Sequence, residues 1–139
     1  MSIGAEEIRS PCVLVVEGAD DKRLFTALIK LYSIGGIQVV DAQGADRLPR
    51  DLELLPKTSG FGSVTRLIVV RDCDSCATSS FQSVADALHR AGLPAPIAPW
   101  TWSPEVEAQP LRTAVLTVPN ADDSGMIEDL CMQIGRAHV

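Results

Sequence analysis

The sequence predicts a layered α/β domain with a central, mainly parallel sheet of about four strands and helices on both faces. Short apolar runs alternate with segments of helical periodicity, an alternation typical of βαβ units. The run CVLVVE, residues 12–17, is apolar almost throughout, which indicates a strand buried on both faces, as in a parallel sheet. At 139 residues, 46% of them hydrophobic, the chain is long enough for one core. We therefore expect a single domain.

The first unit is a strand, a glycine turn and a helix. Glu17 and Gly18 end the strand, and Asp20 or Asp21 is placed to cap the helix. A second short strand follows at about residues 37–40, with glycine before and after it. The helix that follows Gly18 carries one apolar stripe at helical spacing, formed by Leu24, Leu28, Leu31 and Tyr32.

The middle of the chain repeats this order. Pro49 and Pro56 limit residues 45–63 to a broken helix, and RLIVVRD, residues 66–72, is the third strand. The next helix is expected to start near Ser79 or Ser80 and to stop at Gly92. Its predicted buried stripe consists of Phe81, Val84, Ala85 and Leu88.

A proline-rich segment, residues 94–110, interrupts the alternation. We interpret it as a loop with an edge hairpin around Trp100 and Trp102, which either cover a sheet edge or stack on bases. LRTAVLTVP, residues 111–119, is the fourth strand, and a last helix is predicted to begin near Ser124 or Gly125.

The end of the chain suggests a truncated gene. Residues 134–139, IGRAHV, match one translated frame of a widely used sequencing-adapter oligonucleotide, and the last predicted helix runs into them without a stop signal. We expect a domain over residues 1–133 followed by a non-native tail over residues 134–139.

Composition narrows the functional classes. A net charge of −6 and a pI of about 4.8 argue against a nonspecific nucleic-acid coat protein, but they permit an enzyme that meets phosphates through a divalent metal. No apolar run is long enough for a membrane span and no signal core follows Met1, so we expect a cytoplasmic protein. Cys73 and Cys76 form one CxxC without a second, and we interpret the cysteines as reduced, small core or edge residues.

Acidic residues follow three of the predicted strands. Glu17 ends the first, Asp72 and Asp74 end the third, and Glu128 and Asp129 lie after the fourth. The carboxyl ends of parallel strands share one edge, where the functional crevice of such sheets lies. Carboxylates crowded there repel one another unless a cation joins them, and Mg²⁺ or Mn²⁺ suits such ligands. The sequence therefore predicts a divalent-metal site at this edge.

Two segments resemble the Toprim domain of topoisomerases, bacterial primases, recombination-mediator proteins and overcoming-lysogenization-defect nucleases. VVEGADDKRLF carries Glu17 at the position of the Toprim glutamate, and LIVVRDCDS carries Asp72 and Asp74 at the Asp-x-Asp positions. The resemblance implies a Toprim-like, Rossmann-like layered fold.

A third segment, VLTVPNADDSGMIEDLC, looks like the strand, turn and helix start of an uncharacterised Toprim-related family of prokaryotic proteins. Pro119, Asn120, Gly125, Glu128 and Asp129 match its pattern. The three segments together cover about residues 12–133, and members of that family usually continue through further helices, which again suggests truncation.

The resemblance implies Mg²⁺- or Mn²⁺-dependent chemistry on phosphodiester or phosphoryl groups, with nucleic acid or a nucleotide as substrate. In such a site Asp72 and Asp74 hold the metal, and Glu17 serves as general acid/base or as a further ligand. Glu128 or Asp129 helps to place a second ion, or is an ordinary acidic partner of the helix dipole.

Three further residues lie near the first helix start and are candidate phosphate ligands, namely Gly18, Lys22 and Arg23. The two cations are also consistent with a solvated surface. Arg71 departs from the Toprim pattern, because a guanidinium beside the aspartates would pair with one of them and weaken metal binding.

Three functions compete at this point. The leading one is a Toprim-type, Mg²⁺-dependent nuclease or phosphoryl-transfer enzyme. A catalytically silent metal- or nucleotide-binding scaffold is the second. A receiver-like module that accepts phosphate on an aspartate is the third, and it is disfavoured because VLTVP ends without the lysine that such modules use.

Overall fold

The computed structural model describes residues 7–42, 44, 46–72 and 77–118. Four strands form one sheet in the order β2-β1-β3-β4, and every neighbouring pair is parallel, which confirms the predicted layered α/β fold. Within the described ranges, no helix has the length and apolar character to cross a membrane. The elements in chain order are β1 (Cys12–Val16), α1 (Ala19–Leu31), β2 (Ile37–Asp41), α2 (Leu48–Leu54), β3 (Arg66–Asp72), α3 (Ala77–Arg90) and β4 (Arg112–Val118).

β1 is the most buried strand of the sheet. It lies between β2 and β3, and all five of its side chains are buried. Val13 and Val15 belong to the core that α2 and α3 cover, whereas Cys12, Leu14 and Val16 belong to the core on the α1 side. The continuous apolar run is therefore explained by burial on both faces, as the sequence predicted.

α1 presents a different face to the sheet from the one predicted. Phe25 is its buried residue and Leu28 is half-buried, whereas Leu24 is 48%, Leu31 74% and Tyr32 41% exposed. Apolar residues lie on more than one side of this helix, and the side that meets the sheet is displaced by one position from the predicted stripe.

The start of α1 also differs from the prediction. The N-cap is Gly18, with extended backbone and no side-chain cap hydrogen bond, so the expected cap by Asp20 or Asp21 was wrong. Both aspartates lie in the first helical turn, where their charge interacts favourably with the helix dipole. The helix therefore starts without an acidic cap.

α3 has the predicted buried face and the predicted end. Phe81, Val84 and Leu88 are buried in the core shared with α2. Gly92, with φ of 77°, donates its backbone N–H to His89 O, and Leu93 N–H donates to Leu88 O, the pattern of a Schellman motif. The helix begins at Ala77, so Ser79 and Ser80 are not caps but lie within its first turn.

The proline-rich segment covers the outer part of the sheet on the α1 side. Trp102 forms an antiparallel bridge with Ala114 of β4, and Trp100 N–H donates to Val115 O at 2.9 Å. Both indole rings pack against the core, and the Arg66 guanidinium lies 5.7 Å from the Trp102 ring centroid. The prediction that the tryptophans cover a sheet edge is confirmed.

Cys12 is a core residue, as the sequence suggested for the cysteines. It is fully buried, and burial raises the pKa of its thiol to about 12 although the Arg66 guanidinium acts in the opposite direction. The thiolate is therefore scarce at neutral pH and the group is inert. Cys73, Cys76 and Cys131 lie outside the described residues.

Asp51 is a buried carboxylate that the sequence analysis did not identify. It is 1% exposed in α2, and its Oδ2 atom has no hydrogen-bond partner among the described residues. Burial raises the pKa of the carboxyl, and the charges of Arg47 and Arg50 oppose this rise without cancelling it. Its neighbours on the helix face are Leu48, Leu52 and Leu55, all fully buried.

We expect Asp51→Asn to stabilise the protein increasingly as pH rises. A carboxyl whose pKa is raised by folding holds its proton more tightly when folded, so its contribution to stability falls as pH increases above its ordinary pKa of 3.8. The free energy of unfolding of the variant minus that of the wild type, measured by urea titration from about pH 3 to pH 7, should therefore increase with pH. Asp86→Asn, at an exposed site on α3, is the control and should show no such trend.

We expect Gly60→Ala to destabilise the fold by about 1–3 kcal/mol. Gly60 has φ of 90°, and a Cβ atom there would lie 2.0 Å from Ile8 O. Ile8 N–H donates to Ser59 O, so the clash would detach the segment that precedes β1. Gly62→Ala meets nothing within 4 Å and should change the free energy of unfolding little; equal losses for both variants would contradict the account.

Candidate functional site

The carboxyl edge of the sheet brings two predicted site residues onto neighbouring strands. Val15 of β1 pairs with Val69 of β3; Glu17 directly follows the end of β1, and Arg71 lies two residues beyond Val69 within β3. The backbone of Asp72 ends β3 and pairs with Val118 of β4. Glu17 and Asp72 therefore share one edge because β1 and β3 are adjacent and parallel.

Glu17 and Arg71 form an ion pair at this edge. Arg71 Nε lies 3.4 Å from Glu17 Oε1, and the two side chains are 15% and 12% exposed. The sequence analysis expected Arg71 to pair with one of the aspartates, and that expectation falls on side chains outside the described part of the chain. The contact with Glu17 was not predicted, because the two residues are distant in sequence and meet only through strand order. A partly buried pair is screened less by solvent than an exposed one.

A further carboxylate, Asp41, ends β2 beside β1 and was missed by the sequence analysis. It pairs with Val16, and the signal that reveals it is the same as for Glu17: an acid directly after an apolar strand. Alternation along the strand places Asp41 on the same face as Val39, the α1 face. Glu17 and Arg71 follow Val15 and Val69 and lie on the opposite face, so Asp41 is not part of their pair.

The predicted phosphate ligands lie at the start of α1. Gly18 provides an open N-cap, since a Cβ atom there would meet nothing within 4 Å. Arg23 is exposed and forms an ion pair with Asp20 one turn away. Lys22 and Arg23 line a shallow pocket on the outer side of the helix together with Thr26 and Lys30. This location is consistent with the solvated-surface interpretation of the two cations.

Part of the predicted metal site falls outside the described residues. These residues are Asp74, Glu128 and Asp129, and of Asp72 the structure describes the backbone. Within residues 7–42, 44, 46–72 and 77–118, no group of three or more His, Cys, Asp or Glu side chains is arranged to hold a metal ion. The donor chemistry still fits a hard divalent cation, because Glu17 is a carboxylate at the edge where Asp72 also ends its strand.

One protein-family model matches residues 11–137, a range that contains every described strand of the sheet. The chain belongs to this family, described as protein of unknown function DUF3226. No curated protein and no solved structure matches the chain. Glu17, Arg71 and Asp72 of this DUF3226 chain all lie inside the matched range.

We expect Glu17→Gln to destabilise this DUF3226 protein by about 1–3 kcal/mol at neutral pH, since the variant removes the negative charge that faces the Arg71 guanidinium in a poorly solvated place. Urea unfolding measures the change. Glu53→Gln is the matched control: Glu53 Oε1 also lies 3.4 Å from an arginine Nε, that of Arg90, but the two side chains are 40% and 53% exposed. Glu53→Gln should lower the free energy of unfolding by no more than about 1 kcal/mol. Equal costs would show that burial does not strengthen the Glu17 pair.

Proposed function

We propose that this chain is a Toprim-type enzyme that uses Mg²⁺ or Mn²⁺ for phosphodiester or phosphoryl-transfer chemistry, with nuclease-like action on nucleic acid. One observation supports the proposal: Glu17 directly follows β1 and Asp72 is the last residue of β3, and these two strands are adjacent and parallel, so both residues lie at the same sheet edge. This is the strand context that the Toprim resemblance requires for its glutamate and for the first residue of its Asp-x-Asp pair.

The chemistry of these residues supports the proposal. Asp72 and Asp74 would hold the cation through carboxylate oxygens, and Glu17 would accept or donate a proton or add a ligand. Glu128 or Asp129 would help to hold a second ion. A divalent cation supplies a Lewis acid for the phosphoryl oxygens and lowers the pKa of bound water.

The charge of the chain supports a metal requirement. With a net charge of −6 the protein repels polyanions, so a substrate phosphate needs local positive charge at the site. At the described part of the edge the charge of Arg71 is offset by Glu17, so a bound divalent cation would supply the positive charge. The substrate class that fits is therefore nucleic acid or a nucleotide delivered to a metal-loaded edge.

The proposal predicts metal-dependent stability and cleavage. Mg²⁺ or Mn²⁺ at about 100 times its dissociation constant should stabilise the wild type by about 2.7 kcal/mol. The double variant Asp72→Asn/Asp74→Asn should lose this effect, because the neutral amides remove the two negative charges that would attract the cation. Thermal unfolding with increasing metal measures the first outcome, and cleavage of single- and double-stranded DNA and RNA measures the second.

Asp86→Asn is the control for this experiment, because Asp86 is exposed on α3 and hydrogen-bonded to Gln82 at 2.8 Å. It should retain the full metal response and the full cleavage rate. A metal response that persists in the Asp72/Asp74 double variant would place binding elsewhere and contradict the proposal. No cleavage by a metal-bound wild type would exclude the nuclease.

One observation favours a second candidate, the catalytically silent scaffold. The Arg71–Glu17 ion pair already neutralises the carboxylate that the enzyme would use. A scaffold would keep this ion pair when metal or nucleotide is added and would catalyse no reaction. Binding without turnover, with the pair intact, would therefore support the scaffold over the enzyme.

A further inference from the structure

We propose that Arg71 is the resident counter-ion of the carboxyl edge: it holds Glu17 in the metal-free protein, yields Glu17 to a divalent cation, and then binds the substrate phosphate. This inference rests on the proposed function and specifies how its site is regulated. The first step is the ion pair itself, with Arg71 Nε 3.4 Å from Glu17 Oε1. The positive charge of the guanidinium beside this oxygen opposes the approach of a second cation to it.

Burial gives this pair more weight than a surface ion pair. Arg71 and Glu17 are 15% and 12% exposed, whereas Arg90 and Glu53, at the same 3.4 Å, are 53% and 40% exposed. Solvent therefore weakens the attraction less at the sheet edge than between the two helices. The side chains of Glu17 and Arg71 are therefore coupled strongly enough for either one to respond when the other binds a ligand.

The backbone on either side of Arg71 is fixed. Arg71 lies in β3 and pairs with Thr117 of β4, and the residue two before it, Val69, pairs with Val15 of β1. A cation that arrives at Glu17 therefore displaces the side chain of Arg71 and not its strand. The guanidinium remains tethered within one side-chain length of the edge, where the metal-bound substrate would lie.

The displaced side chain suits a phosphate. A guanidinium is planar, stays charged at all relevant pH values, and donates two parallel hydrogen bonds to phosphate oxygens. Metal and phosphate then bind cooperatively, since the metal frees Arg71 for the phosphate and the phosphate compensates the displaced charge. The same residue that opposes metal in the free protein therefore favours the metal–phosphate complex.

The test is isothermal titration calorimetry of the full chain with Mn²⁺, then with inorganic phosphate in the presence of Mn²⁺. Arg71→Gln should bind Mn²⁺ about tenfold more tightly than the wild type and phosphate about tenfold more weakly, within the usual range of coupling between sites. Arg71→Lys, which keeps the charge but not the planar fork, should show nearly wild-type metal affinity and weakened phosphate binding. Arg90→Gln is the matched control and should change neither.

The outcomes separate this inference from the proposed function. Equal Mn²⁺ affinity in the wild type and Arg71→Gln overturns the counter-ion role and leaves the metal site standing. Metal binding by Arg71→Gln but not by the wild type overturns both the proposed function and the release of Glu17, because Arg71 then blocks the site permanently. Absence of metal binding in every variant overturns the proposed function and this inference together.

A second measurement needs no substitution, and therefore does not depend on the folding of a variant. In ¹⁵N-labelled wild type, the Nε–H resonance of Arg71 should shift as Mg²⁺ is added and shift again when phosphate follows, while that of Arg90 stays constant. An Arg71 resonance that ignores Mg²⁺ at concentrations that stabilise the protein would overturn the inference.

Discussion

The burial of β1 on both faces is the constraint on which the rest of the structure depends. Its five side chains alternate between two cores, and neither face reaches solvent. Helices must then cover both sides of the sheet, which the connections between parallel strands provide. α2 and α3 cover one face, while α1 and the segment that carries Trp100 and Trp102 cover the other.

The position of the candidate site follows from that arrangement. With all strands parallel, the carboxyl ends of β1 and β3 lie side by side, and polar residues are admitted there because the strands end. Glu17 and Arg71 meet at this edge as a poorly solvated ion pair. The described part of the edge thus carries both signs of charge. In the function that we propose, its chemistry depends on whether the guanidinium or a metal ion holds the glutamate.

The strands were predictable because burial on both faces leaves an unmistakable apolar run that ends at an acid, as in β1 followed by Glu17. The face of α1 was not, because Leu24 and Phe25 are both apolar and periodicity alone does not say which one meets the sheet. The partner of Arg71 depends on β3 lying next to β1, which is a property of strand order and not of local sequence.

The burial of Asp51 also has a signal in the sequence. Leu48, Leu52 and Leu55 have helical spacing, and position 51 falls on their face, so its burial follows from the same periodicity that identifies α2. The raised pKa of its carboxyl needs the packed structure, since it arises from burial set against the charges of Arg47 and Arg50.

The most direct test of the central claim is a crystal structure of the protein soaked in Mn²⁺, with anomalous scattering recorded to locate the ion. The account predicts an anomalous peak at the carboxyl edge, in contact with the carboxylates of Glu17 and Asp72, and the Arg71 guanidinium displaced from Glu17. A peak elsewhere on the surface, or none, with Arg71 still paired to Glu17, would contradict it.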